Sequence, residues 1–195
     1  RLVGWAGLDG ERMAYVNGCR WWTFRKFPPN ARKFLPGPGA TSGAQAKPLD
    51  MSLPCEVSGA AFRGELQPVI RWLRKGEHVD ALDENENGLL HWAAAGGRLG
   101  VAKELLQRGA SVDLRGAKDV TALMVAAMMG QHAMVRLLLE HKASIDLQSA
   151  DGATALMMAT GEGHTECVQE LLQAGASTEL RDQDGNTALG WAESQ

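Results

Sequence analysis

His164 and Cys167 stand three residues apart, a spacing that sets an imidazole and a thiol on one helical face and could offer two ligands to zinc. A structural zinc site takes four ligands, and no second His/Cys pair lies nearby, so no metal is expected. Asp and Glu are plentiful but fall in loop segments that recur along the chain. No GxSxG, P-loop, post-strand GxGxxG or HExxH occurs, so neither catalysis nor a cofactor is expected. Arg20-Trp21-Trp22-Thr23-Phe24-Arg25-Lys26-Phe27 mixes aromatic and basic side chains that could stack on bases and meet phosphates. Eight residues without a recognised motif also read as a hydrophobic strand or an unstructured arm, and nucleic acid is not the expected partner. Met124, Met128, Met129, Met157 and Met158 form a separate cluster: some fill the core, Met158 packing inward, whereas Met128 and Met129, the two residues before the turn glycine, suit adaptable contacts.

The elements that carry these residues repeat. Leu90, Leu123, Leu156 and Leu189 are each 33 residues apart, and so are Gly64, Gly97, Gly130 and Gly163. From residue 86 the chain can be written in register three times without a gap. Gly88-Leu89-Leu90-His91-Trp92-Ala93-Ala94 aligns with Thr121–Ala127 and Thr154–Thr160. Leu105-Leu106, Leu138-Leu139 and Leu171-Leu172 follow, and then Gly109-Ala110-Ser111, Lys142-Ala143-Ser144 and Gly175-Ala176-Ser177. A 33-residue period predicts a stack of supersecondary units with atypical terminal ones. Within each unit a first helix is predicted around Leu-x-x-Ala-Ala, capped by Thr121, Thr154 or Thr187 and ended by Gly97, Gly130 or Gly163. A second helix carries apolar positions such as Val101, Leu105 and Leu106, and Gly76, Gly109 and Gly175 supply left-handed ends.

The pattern resembles the ankyrin repeat, which runs roughly D-x-x-G-x-T-P-L-H-x-A-A-x-x-G-H, a Leu-Leu helix, then G-A-D-V-N. The resemblance covers about residues 54–195 and implies an all-α ankyrin-repeat solenoid of stacked helix-turn-helix units with short β-hairpin loops. A poorly structured N-terminal arm precedes it. Expected boundaries are a capping partial repeat at 51–82, full repeats at 83–115, 116–148 and 149–181, and a truncated one at 182–195. Departures carry consequences. The family's Pro is replaced by Leu89, Ala122, Ala155 and Ala188, which should lower stability without changing the fold. Gly88 replaces Thr and removes a cap, and Lys142 replaces a C-terminal Gly. His91 and His164 match structural histidines of the family, and Cys167 an apolar helix position.

Residues 1–50 do not fit the repeat. Leu2–Gly7 and Met13–Val16 could be strands around an Asn17-Gly18 turn, and the Pro/Gly/Ser-rich stretch 28–48 reads as a disordered linker. This arm holds eight Lys/Arg against three Asp/Glu, a net +5, whereas residues 51–195 hold twelve against twenty, a net −8. The chain does not begin with Met, and Met51 falls where the capping repeat would begin. The expectation is that residues 1–50 precede the functional protein or that the chain is a fragment of a longer one.

Composition is ordinary, 45% hydrophobic and 22% charged, with no apolar run long enough to span a membrane. Three cysteines without a CxxC pair argue for a reducing, cytoplasmic or nuclear compartment. The resemblance implies a monomeric module that binds another protein through loop tips and the concave side of the first helices. On the loops this selects Glu84, Asn85, Asn87, Arg115, Lys118, Val120, Gln148, Asp151, Ala153, Arg181, Asp184 and Asn186. On the helices it selects Phe62, Arg63, Met128, Met129 and Glu162. Two alternatives stand beside it: a targeting or regulatory array attached to a catalytic or ligand-binding part, and a nucleic-acid-associated protein using the basic arm.

Overall fold

The computed structural model describes residues 53–193 together with Tyr15–Val16 and Cys19–Arg20. The two short segments form strands β1 (Tyr15–Val16) and β2 (Cys19–Arg20), paired antiparallel with Tyr15 opposite Arg20 and Val16 opposite Cys19. They flank the Asn17-Gly18 turn signal. The candidate strand Leu2–Gly7, the basic-aromatic residues 21–27 and the stretch 28–48 lie outside the described residues.

In residues 53–193 the helices come in pairs: α1 (Cys55–Arg63) with α2 (Leu66–Leu73), α3 (Leu89–Ala95) with α4 (Leu99–Gln107), α5 (Ala122–Met128) with α6 (His132–Glu140), and α7 (Ala155–Gly161) with α8 (Thr165–Gln173). A further first helix, α9 (Ala188–Glu193), packs against α7. The first helices stack in the order α1–α3–α5–α7–α9 and the second helices in the order α2–α4–α6–α8.

Small side chains allow this stacking. Ala61, Ala93, Ala94, Ala126, Ala127 and Ala159 are fully buried between first helices. A Cβ added at Gly96 would overlap the Phe62 carbonyl oxygen, so that position admits no side chain. Second helices seal the other side with Leu105, Leu138 and Leu171. Cys167 holds the buried position that Val101 and Met134 fill in earlier units. Burial, with the charges of Glu166 and Glu170, pushes its thiol up to about 11.

The helix ends follow the sequence signals. Thr121 and Thr154 accept the backbone N–H of Met124 and Met157 at 3.5 and 3.3 Å. Gly88 has no hydroxyl to do so and makes no side-chain cap, as the sequence implies; its own N–H donates to His91 Nδ1 at 3.1 Å. Lys142 adopts φ 67°, the left-handed conformation that glycine takes at the equivalent ends 76, 109 and 175. Pro68 lies in the first turn of α2, where its missing N–H has no helical acceptor to lose.

Successive units are joined by hairpin loops built to one template. Backbone N–H groups of Asp83, Gly116, Ser149 and Asp182 donate to the carbonyls of Asn87, Val120, Ala153 and Asn186 at 2.9–3.0 Å. Adjacent hairpins are stitched by Ala150 N–H to Lys118 O (2.8 Å) and Gln183 N–H to Asp151 O (3.1 Å). On the far side, Asp80, Asp113 and Asp146 each accept the backbone N–H of a serine in the next unit, Ser111, Ser144 and Ser177, all at 2.9 Å.

Candidate protein-docking surface

The hairpins and the ends of the first helices bring most of the expected surface together. Arg63, Glu84, Arg115, Lys118, Arg181, Asp184 and Asn186 are exposed, while Phe62, Asn85, Asn87, Met128, Met129, Gln148, Asp151 and Glu162 are half-buried. Two expected contact residues are not on the surface. Val120 is 8% and Ala153 1% exposed. Each precedes the threonine that caps a helix, and its carbonyl closes the hairpin, so the side chain turns under the loop. They are removed from the candidate surface.

Several polar residues on this side are occupied by the fold itself. Gln148 Nε2 donates to the carbonyls of Gly152 (2.7 Å) and Arg181 (2.9 Å), tying two hairpins together. Arg181 donates back to Gly185 O at 2.7 Å. Arg115 lies 3.5 Å from Asp119, and Lys118 lies 4.0 Å from Asp151, whose Oδ2 is itself buried. Arg63 pairs with Glu65 at 2.6 Å. Asn87 and Asn186 bond within their own hairpins, to Asn85 O and Asp182 Oδ2. By contrast, the Glu84 and Asp184 carboxylates make no side-chain hydrogen bond among the described residues and project from exposed turns. Glu162, half-buried after α7, has its carboxyl raised above the ordinary range by desolvation.

The methionines are less open than a free surface would be. Met124, Met157 and Met158 belong to the core. Met128 and Met129 are half-buried at the end of α5, and the Met128 carbonyl lies 3.1 Å from His164 Nε2 of the next unit. That contact explains the histidine: it ties one unit's turn to its neighbour's and is not arranged as a ligand. Among the described residues no three His, Cys, Asp or Glu side chains are grouped as a metal site would require. No helix among them is long and apolar enough to cross a membrane.

Two residues absent from the expected surface complete it. Trp92 Nε1 donates to Asp83 Oδ2, and Trp191 Nε1 to Asp182 Oδ2, both at 2.8 Å. In each case the other carboxylate oxygen accepts two backbone N–H groups of the hairpin, Asn85 and Asn87 in one, Asp184 and Asn186 in the other. Both indoles are half-buried. Trp92 meets Phe62 edge to face at 6.4 Å, and Trp191 covers the bare backbone of Gly161. The signal was available: an Asp nine residues before a Trp, recurring 99 residues later at the same register. In the units between, Val125 and Met158 take the Trp position, so comparison of adjacent units conceals it.

Comparison with known proteins agrees with this geometry. No curated protein matches the chain. A family model described as ankyrin repeats (3 copies) matches residues 58–149 and 142–195. That match covers well over half the sequence and coincides with the stacked helix pairs; the chain belongs to the ankyrin-repeat family.

Proposed function

We propose that this array docks a partner protein on the side of the first helices that borders the hairpins. Ankyrin repeats are generally protein–protein interaction modules and typically non-catalytic. The observation that supports the reading is a row of half-exposed apolar side chains, Phe62, Trp92, Val125, Met128, Met129 and Trp191, at equivalent or adjacent register positions on stacked helices. Such half-open side chains are shielded enough to be rigid and accessible enough to be covered. Preformed surfaces of this kind bind with little ordering entropy.

The test is capture of partner proteins by the full chain and by a Met128→Ala/Met129→Ala variant, followed by mass spectrometry. The variant should keep the helical far-UV spectrum and lose at least one protein that the wild type retains. Identical capture by both would remove the pair from the docking face.

A further inference from the structure

We propose that Asn87 is a site of spontaneous covalent modification, deamidation through a cyclic imide, and that the His91 ring is the latch that holds the reaction off in the folded array. The chain has two Asn-Gly pairs, Asn17-Gly18 and Asn87-Gly88, and the first lies outside the described residues. Glycine sets no side chain beside its own nitrogen, so an asparagine before it is the one most open to attack by the backbone. The other units lack the pair. Val120-Thr121, Ala153-Thr154 and Asn186-Thr187 stand at the same register, and a β-branched threonine crowds the nitrogen that follows Asn186.

The reaction uses atoms of the hairpin and one water. The Gly88 nitrogen attacks the side-chain carbonyl carbon of Asn87. The N–Cγ bond forms, the Cγ–Nδ2 bond breaks, and the Gly88 amide proton leaves with the side-chain nitrogen as ammonia. Water then opens the five-membered imide at either carbonyl and leaves an aspartate or an isoaspartate in place of the asparagine.

The fold obstructs the first step. In the imide, Cγ takes the place that the amide hydrogen held on nitrogen. Here that direction is filled, because the Gly88 N–H donates to His91 Nδ1 at 3.1 Å. The ring is 2% exposed, and its Nε2 is anchored 3.0 Å from the Val120 carbonyl oxygen of the next unit. Asn87 is tied as well: its Nδ2 donates to Asn85 O at 3.1 Å, its N–H to Asp83 Oδ1 at 2.9 Å, and its carbonyl accepts the Asp83 N–H at 3.0 Å. Cγ reaches the nitrogen only after the Gly88 N–H has left the ring. Conversion therefore waits on opening of this hairpin, at a rate set by the open population. Isoaspartate adds a methylene to the main chain and puts a new carboxylate near Asp83, the residue that anchors Trp92. The change is one-way, so it records how often the hairpin has opened.

The test incubates the full chain at neutral pH, folded and in guanidinium chloride. Conversion is read by mass spectrometry of the tryptic peptide from Gly76 to Arg98. Asn87 should convert readily in denaturant and roughly 100-fold more slowly when folded. Asn186, clasped in the same way by Asp182, should convert slowly in both. His91→Leu fills the site without an acceptor and should speed folded-state conversion at Asn87 about 5-fold, leaving Asn186 unchanged. Leu156→Ala loosens a distant unit and should leave Asn87 at the wild-type rate. Equal rates at Asn87 in folded and denatured chain overturn the proposal, as does no conversion in denaturant; this comparison needs no variant to fold. A Leu156→Ala chain that converts as fast as His91→Leu shows that the reaction waits on global unfolding, and the His91 latch is then wrong.

Discussion

His91 offers a sharp test of how this array is held together. The ring is 2% exposed, with Nδ1 3.1 Å from the Gly88 N–H and Nε2 3.0 Å from the Val120 carbonyl. A backbone N–H can only donate and a carbonyl can only accept, so the neutral tautomer with hydrogen on Nε2 is the one that fits. Protonating Nδ1 would set two donors against each other in a dry site. Burial is the main force that lowers this imidazole below its ordinary 6.5. A group depressed in the fold leaves the unfolded chain holding the extra proton between the two values. Stability is therefore complete above pH 6.5 and falls on acidification, with a limiting slope of about 1.4 kcal/mol per pH unit until the folded value is reached.

The neighbouring units supply the control. Met124 and Met157 occupy the same register position, and Met157 Sδ lies 3.5 Å from the Thr154 N–H, standing in for the imidazole nitrogen. His91→Met should cost about 1 kcal/mol at pH 7.5, the worth of one hydrogen bond. The loss stays small because the Val120 carbonyl also accepts the Gly116 N–H at 2.9 Å. Urea unfolding followed by circular dichroism from pH 7.5 to 5.0 reads both proteins. The four other histidines are common to both and cancel in the difference. The wild type should lose stability relative to the variant as pH drops below 6.5. Parallel pH profiles, or a wild type that gains on acidification, would refute the argument.

Lys142→Gly should raise stability by about 1 kcal/mol, because a left-handed φ of 67° is strained for lysine and free for glycine; thermal unfolding would show a higher Tm. The equivalent leucines should respond unequally to truncation. Leu156→Ala, at 2% exposure, should cost about 3 kcal/mol, whereas Leu189→Ala, at 68%, should fall within about 0.5 kcal/mol in the same denaturation assay.

The repeat was legible because its signals are local and periodic. Leu90, Leu123 and Leu156 announce the core, Thr121 and Thr154 the caps, and Lys142 its strained turn. The docking side was legible only in outline, because facing there depends on contacts without a sequence signature. Val120 and Ala153 occupy nominal loop positions, but their carbonyls close the hairpins and their side chains fold beneath them. Gln148 and Arg181 look like free polar tips, yet a backbone carbonyl one unit away engages Gln148 and one four residues on engages Arg181. The cap expected to be missing at Gly88 is missing, but the bond from the Gly88 N–H to the His91 ring had no sequence signal and is visible only once the ring's two partners are known.

The carboxylates of Asp80, Asp113 and Asp146 each fasten a backbone N–H of the following unit. Seen thermodynamically, this makes every unit's turn part of its neighbour's folding equilibrium. A boundary between folded and unfolded stretches must break one such link and one buried helix contact, and that boundary energy resists partial melting. Interior units lose two neighbours when they open and terminal ones lose a single neighbour. Amide protection should be deeper at α5, which packs against both α3 and α7, than at α9, which packs against α7.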